Sequence, residues 1–247
     1  MIKLVKPAFL LPLTNHKFIQ IYKYNMNVYI VIPTYNEEGT VREVINSIKN
    51  EDLNYNIVVV DDNSSDNTVA RVQETDAAVL RHIINRGQGA ALRTGTEYAI
   101  MKGAEAVVHF DADEQFLASE IKEVIAPIIN NRADMVFGSR FLSKQSNIPW
   151  FKRNVILLLA RLVNRWFFNI RLSDPQAGFR AMSGAVARKI NWRQDRMAHC
   201  SEIMHQAFAE KLRIEEVPIT VIYRDFGQKF FGGLKILKEM FIGAFTK

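Results

Sequence analysis

The sequence has very little cysteine: Cys200 is the single one among 247 residues. One thiol cannot form an internal disulfide, and it cannot build a metal site that needs several thiolates. The five histidines show no spacing typical of zinc ligands either. These absences exclude a disulfide-stapled fold and predict a protein of a reducing compartment, the cytoplasm.

Two common nucleotide-binding patterns are also missing. No glycine-rich segment ends in Gly-Lys-Ser or Gly-Lys-Thr, so a Walker P-loop is excluded. The dinucleotide pattern Gly-x-Gly-x-x-Gly is absent as well, which argues against a dehydrogenase. A phosphate-bearing ligand, if the protein takes one, would therefore be bound by other means.

The amino-terminal segment, residues 1–27, is basic and lacks an apolar run of the ~20 residues that span a bilayer. Its lysines supply four of the six net positive charges of the chain, so the overall charge does not indicate nucleic-acid binding. We expect a disordered tail, a membrane-surface arm, or residues upstream of a true start at Met26. A single domain is predicted over residues 28–247.

From Val28 onward, predicted strands and helices alternate. Apolar runs predict strands over 28–33, 56–61, 78–82, 104–110 and 134–138, and helices over 38–49, 65–74, 89–102 and 119–130. A further strand, helix and strand are expected over 178–182, 201–211 and 214–222. This order predicts an α/β fold whose mostly parallel sheet has helices on both faces.

Two segments combine apolar and basic residues at helical spacing: residues 150–170 and the tail, residues 230–242. The arginines of the first segment, among them Arg153, argue against a transmembrane helix. Each segment either packs on the domain's own core or touches a bilayer interface with its basic residues near lipid phosphates. Peripheral membrane contact on the cytoplasmic face is therefore one expectation.

The most informative motif is Asp111-Ala112-Asp113, which directly follows an apolar strand. In an α/β sheet this edge is where ligands bind. Two acids one residue apart repel each other unless a cation lies between them, and hard divalent cations prefer carboxylate and phosphate oxygens. The alternative is that one acid merely caps the helix that follows.

Other polar motifs follow the neighbouring strands. Tyr35 lies in a Pro-Thr-Tyr-Asn loop, where its ring could stack on a nucleobase, and Asp62 could accept hydrogen bonds from a base or ribose. Gly87 and Gly89 precede a helix, which suits the close approach of a phosphate or sugar.

Taken in order, these motifs resemble family 2 glycosyltransferases, and most closely the polyprenyl (dolichyl) phosphate hexose synthases. The motifs are Pro-Thr-Tyr-Asn-Glu, Val-Asp-Asp-Asn-Ser, Asn-Arg-Gly-x-Gly-Ala-Ala, Asp-Ala-Asp-x-Gln, Gly-Ser-Arg-Phe and Asp-Pro-Gln-x-Gly-Phe-Arg-Ala. The resemblance implies a GT-A fold with a Rossmann-like nucleotide-binding half and an acceptor half. It also implies a nucleotide-sugar donor and Mg²⁺ or Mn²⁺.

The resemblance also assigns roles by position. It places Mg²⁺ or Mn²⁺ at Asp111, Asp113 and Gln115. It makes the following residues line the donor pocket or face the donor and acceptor phosphates: Pro33, Tyr35, Glu37, Asp62, Gly87, Gly89, Arg140, Arg153, Arg180, Arg224 and Lys229. Asp113, Arg140 and Glu202 are the predicted catalytic residues.

The leading hypothesis is an inverting, metal-dependent transferase that moves a hexose from GDP-mannose or UDP-glucose to a polyprenyl phosphate at the membrane surface. One alternative is transfer to a hydroxyl of a glycan or small molecule, with Glu202 as general base. Glu202 in the first turn of a helix also has a structural interpretation, favourable interaction with the helix dipole. The other alternative is a non-catalytic nucleotide-sugar-binding protein.

Overall fold

The computed structural model describes residues 26–52, 54–142, 172–174 and 178–222. The predictions for the amino-terminal arm, for residues 150–170, for the tail and for Arg153, Arg224 and Lys229 lie outside these ranges. Of the helices within them, none combines the length and apolarity needed to cross a bilayer.

Strands and helices alternate as the sequence predicts. Their order is β1 (Val28–Thr34), α1 (Val41–Glu51), β2 (Asn56–Asp61), α2 (Thr68–Gln73), β3 (Ala78–Arg81), α3 (Gln88–Met101), β4 (Ala106–His109), a 3₁₀ turn (Ala118–Glu120), α4 (Ile121–Ile129), β5 (Met135–Ser139), β6 (Arg180–Ser183), α5 (Gly184–Lys189), α6 (His199–Ala209) and β7 (Ile214–Pro218). Helix α5 was not predicted, and the last strand is shorter than expected.

The strands form one seven-stranded sheet in the order β3-β2-β1-β4-β6-β5-β7. Strands β1, β2, β3 and β4 pair in parallel, as do β5 and β7, whereas β6 is antiparallel to both β4 and β5. The prediction of a mostly parallel sheet is confirmed. The inserted antiparallel strand begins at the edge where its neighbours end, so it brings the loop before it to that same edge.

Both faces of the sheet are covered, because successive side chains of each strand point to opposite sides. Ile30 and Ile32 of β1 are fully buried against α1 and α4 on one face, where the core continues into Phe110 and Phe179. Val31 lies on the other face, packed with residues of α3, α5 and α6. This burial on both faces explains why β1 and β2 are nearly continuous apolar runs.

Candidate active site

The loops that carry the predicted motifs meet at one edge of the sheet. Thr34 at the end of β1 is in register with Asp61 at the end of β2, and β4 pairs with the other side of β1. Arg180 opens β6 beside the ends of β4 and β5. The structure therefore brings together motifs that lie far apart in the chain, as the parallel sheet predicts.

Asp111 lies at the centre of this edge. Its Oδ1 accepts a hydrogen bond from Gln88 Nε2 at 2.8 Å, and its Oδ2 lies 2.8 Å from the position that a Cβ on Gly178 would take. Burial and then the charge of Asp113 raise the pKa of Asp111 to about 7, against the opposing effect of Arg180. The two acids therefore repel each other, and this repulsion favours the protonated form of Asp111.

The loop after Asp111 turns sharply. Glu114 has a φ of 58°, and Asp113 Oδ1 accepts the backbone N–H of Gln115 at 3.1 Å. The carbonyl of Gln115 in turn accepts the N–H of Ile222 at 2.9 Å, which ties this loop to the chain after β7. Asp113 is thus held close to Asp111 by its own loop.

This pair suits a divalent cation such as Mg²⁺ or Mn²⁺, because carboxylate oxygens are hard ligands and their mutual repulsion would be relieved by positive charge. Within the described ranges, no group of three or more His, Cys, Asp or Glu side chains lies where it could hold a metal. Asp111 and Asp113 are the acids that the motif predicts as ligands, and an amide such as Gln115, water or substrate phosphate would complete the shell.

Glu37 adds a third acid near the pair. Burial is the main cause that raises its pKa, and the charges of Asp113 and Asp66 add to it. Its Oε2 accepts a hydrogen bond from Thr40 Oγ1 at 3.0 Å. The neighbouring Tyr35 is 51% exposed, so its ring is available to a planar ligand.

Two residues expected to line the donor pocket, Pro33 and Asp62, are buried at this edge, and their contact with a donor stays a prediction. Pro33 is buried in β1 opposite Val60, so it supports the edge from within the sheet rather than forming its surface. Asp62 is also buried, and its carboxylate accepts the N–H groups of Arg86 at 2.9 Å and Gly87 at 2.6 Å. A third contact joins its Oδ1 to His82 Nδ1 at 2.7 Å. Asp62 thus organises the turn at Arg86 and Gly87, which we call the glycine turn.

The two glycines of the predicted ligand loop pack closely against the chain itself. Gly87 has a φ of 113°, and a Cβ there would lie 2.5 Å from the carbonyl oxygen of Asp195. A Cβ on Gly89 would strike the carbonyl of Gln194, and Trp192 Nε1 donates to the carbonyl of Gly89 at 2.8 Å. The missing side chains therefore admit the chain's own segment before α6, and the approach of a phosphate or sugar to this turn stays a prediction.

The arginines behave differently from one another. Arg140 lies at the edge, where its Nε donates to Asp174 Oδ2 at 2.5 Å. Arg180, predicted to face a phosphate, is fully buried instead, and its Nη2 lies 3.3 Å from Cys200 Sγ and 3.2 Å from His199 Nε2. Arg180 therefore lies beneath the surface of the edge, and its contact with a phosphate stays a prediction.

The cluster around Arg180 is a feature that the sequence did not predict. Burial raises the pKa of the Cys200 thiol, but the charges of His199 and Arg180 outweigh it and lower that pKa to about 6. Both Cys200 and Arg180 act electrostatically on Asp111. The charges at the start of α6 therefore influence the ionisation of the acidic pair.

Glu202, the predicted base, holds a loop. Its Oε2 accepts the backbone N–H groups of Arg193 at 2.9 Å and Gln194 at 2.8 Å. The next residue of that loop, Asp195, forms an ion pair with Arg93 of α3 at 2.6 Å. Glu202 therefore stabilises the loop before α6. Its role as general base stays a prediction.

Among solved structures, the fold is similar to that of glucosyl-3-phosphoglycerate synthase from Mycobacterium tuberculosis in complex with UDP. The TM-score is 0.72 over 96% of this chain and 84% of that chain, with 17% sequence identity. The prediction of a GT-A-like α/β fold is confirmed by this likeness and by the mixed sheet.

The sequence comparisons identify the family. The profile of "Glycosyl transferase family 2" matches residues 29–192, so the chain belongs to that family and is a glycosyltransferase. It is 32% identical over 240 residues to the UDP-N-acetylglucosamine–dolichyl-phosphate N-acetylglucosaminyltransferase of Methanococcus voltae, which covers 86% of this chain and 94% of that protein. It is 29% identical over 223 residues to the polyprenol monophosphomannose synthase of Mycolicibacterium smegmatis, covering 86% and 83%.

Proposed function

We propose that this glycosyltransferase moves a sugar from a nucleotide sugar to a polyprenyl phosphate at a membrane surface, and that the reaction depends on Mg²⁺ or Mn²⁺. The names of the two relatives support the acceptor, because one includes dolichyl phosphate and the other polyprenol. They name different sugars, so the donor carries a hexose or an N-acetylhexosamine.

The observation that carries the metal-dependent part is the acidic pair, Asp111 and Asp113, at the edge where the motif loops meet. These carboxylates would hold the cation, which when bound neutralises the diphosphate leaving group. Tyr35 would stack on the base of the donor, and Arg140 would face a donor or acceptor phosphate.

The transfer itself needs little proton chemistry. An oxygen of the acceptor phosphate attacks the anomeric carbon while the bond from that carbon to the diphosphate breaks, and the configuration inverts. Because the acceptor oxygen is already anionic, no side chain must remove a proton from it. The use of Glu202 in holding the Arg193–Gln194 loop supports this choice of acceptor over a sugar hydroxyl.

The direct test is transfer of radiolabel from GDP-mannose, UDP-glucose and UDP-N-acetylglucosamine, each with Mg²⁺, Mn²⁺ or EDTA. We expect label in the organic phase only with polyprenyl phosphate and a cation present. Donor hydrolysis without lipid labelling would overturn the lipid acceptor and favour a hydroxyl. Flotation with vesicles containing anionic lipid and polyprenyl phosphate tests the membrane contact. If the protein binds the membrane surface, it will be recovered in the vesicle fraction.

A further inference from the structure

Glu216 of β7 lies away from the sequence motifs, yet its carboxylate binds a segment that adjoins the site. Its two oxygens accept the backbone N–H of Ser173 at 2.8 and 2.9 Å. Oε1 also accepts the Ser173 hydroxyl at 2.8 Å and the backbone N–H of Asp174 at 3.1 Å. One carboxylate therefore fixes two consecutive peptide groups.

The fixed segment holds Arg140. Asp174 is fully buried, and its Oδ2 accepts Arg140 Nε at 2.5 Å and the Arg140 backbone N–H at 3.3 Å. The hydroxyl of Ser173 lies 2.5 Å from that of Ser139, the residue before Arg140. A contact through Nε constrains the plane and direction of a guanidinium, so the position of Asp174 helps to set where Arg140 points.

We propose that Glu216 is a positioning residue for the transfer reaction, and that it orients Arg140 toward a substrate phosphate through Ser173 and Asp174. This inference rests on the proposed function, since that function gives Arg140 its phosphate. The strand does not require this carboxylate for pairing, because β7 is joined to β5 through the backbone. The adjacent Glu215 instead forms an ion pair with Arg132 at 3.2 Å.

The test is a double-mutant cycle with Glu216→Ala and Arg140→Ala, and with Glu215→Ala as the control on the same strand. Alanine removes both oxygens that accept the Ser173 and Asp174 groups, whereas glutamine would keep one oxygen in the place of Oε1, which accepts three of the four contacts. We expect Glu216→Ala to lower kcat/KM about tenfold or more, as loss of hydrogen bonds to a charged group does. Glu215→Ala should match the wild type.

The decisive comparison is made in the Arg140→Ala background, where Glu216→Ala should lower kcat/KM less than twofold further. An equal loss in both backgrounds would mean that Glu216 acts on stability or on another group, and would overturn the proposal. Thermal unfolding of each variant separates a loss of folded protein from a loss of turnover.

A second measurement keeps this inference separate from the proposed function. In a crystal structure of Glu216→Ala, Arg140 should have left Asp174 or turned its guanidinium. An unmoved Arg140 refutes the positioning role even if the wild type labels polyprenyl phosphate. A moved Arg140 upholds it even if the wild type labels no lipid, an outcome that would refute only the acceptor assignment.

Discussion

The amide of Gln88 and the carboxyl of Asp111 are joined by a hydrogen bond of 2.8 Å, although they lie on different elements. Gln88 is the first residue of α3, and Asp111 follows β4. The bond links the glycine turn to the acidic pair, because the turn that Asp62 organises also delivers the Gln88 side chain. The order of this edge therefore depends on contacts between the loops as well as on the sheet.

Replacement of Asp113 by alanine tests the acidic pair. We expect Asp113→Ala to lower metal-dependent transfer about a hundredfold or more, because it removes one of two acids that would bind the cation. The fold should persist, since Asp113 lies in a partly exposed loop. Glu97→Gln, an exposed change on α3, is the control and should retain full activity. Activity in Asp113→Ala equal to the control's would contradict the metal assignment.

The raised pKa of Asp111 predicts how stability depends on pH. Its pKa lies near 7 in the folded protein against an ordinary 3.8, so folding favours the protonated form. The contribution of protonated Asp111 to the free energy of unfolding is fully present below about pH 4 and is lost as the pH rises through 7. In EDTA, Asp111→Asn should therefore unfold several degrees above the wild type at pH 8, with a smaller difference at pH 5.

Manganese should reverse this difference. Added Mn²⁺ should raise the unfolding temperature of the wild type at pH 8, where Asp111 is ionised and can bind the cation, and should leave Asp111→Asn almost unchanged. Superimposable pH profiles of the two proteins in EDTA would show that Asp111 is an ordinary carboxyl.

The sequence predicted the strands well, because burial on both faces leaves a continuous apolar run with clear ends. The run 56–61 coincides with β2 (Asn56–Asp61). Helix α1 begins at Val41 instead of Glu38. Glu38 belongs to the loop before the helix, where its backbone N–H donates to Asp66 Oδ2 of the loop after β2 at 3.1 Å. The antiparallel direction of β6 was not predictable, since an apolar run does not reveal its neighbours.

For the site, the sequence indicated which residues gather at the edge but not which of them bind each other. The packing of Gly87 was not predicted, because it involves Asp195, which lies more than a hundred positions away. The motif predicted Arg180 as a phosphate ligand. In the structure Arg180 lies beside His109 of the adjacent strand β4 and is buried. Such contacts depend on tertiary packing, which short motifs do not encode.

The packing of Gly87 against Asp195 can be tested by adding one methyl group. Gly87→Ala combines a positive φ with a contact of 2.5 Å, so it should lower the free energy of unfolding by about 1–3 kcal/mol. Gly39→Ala is the matched control, because a Cβ there meets nothing within 4 Å. Urea denaturation measures both. Equal stability of the two variants would show that the glycine turn tolerates a side chain and leaves room for a ligand.

Glu202 separates the two acceptor hypotheses. If it only holds the loop, Glu202→Gln should keep transfer within about tenfold of the wild type, since the amide oxygen can still accept the N–H groups of Arg193 and Gln194. Glu202→Ala leaves those donors without the carboxylate and should lower both stability and activity. A general base behaves differently, because glutamine cannot take a proton, and Glu202→Gln would then lose activity as completely as alanine. Rates of both variants, each with its unfolding temperature, distinguish the cases: we expect the glutamine variant to remain active on polyprenyl phosphate.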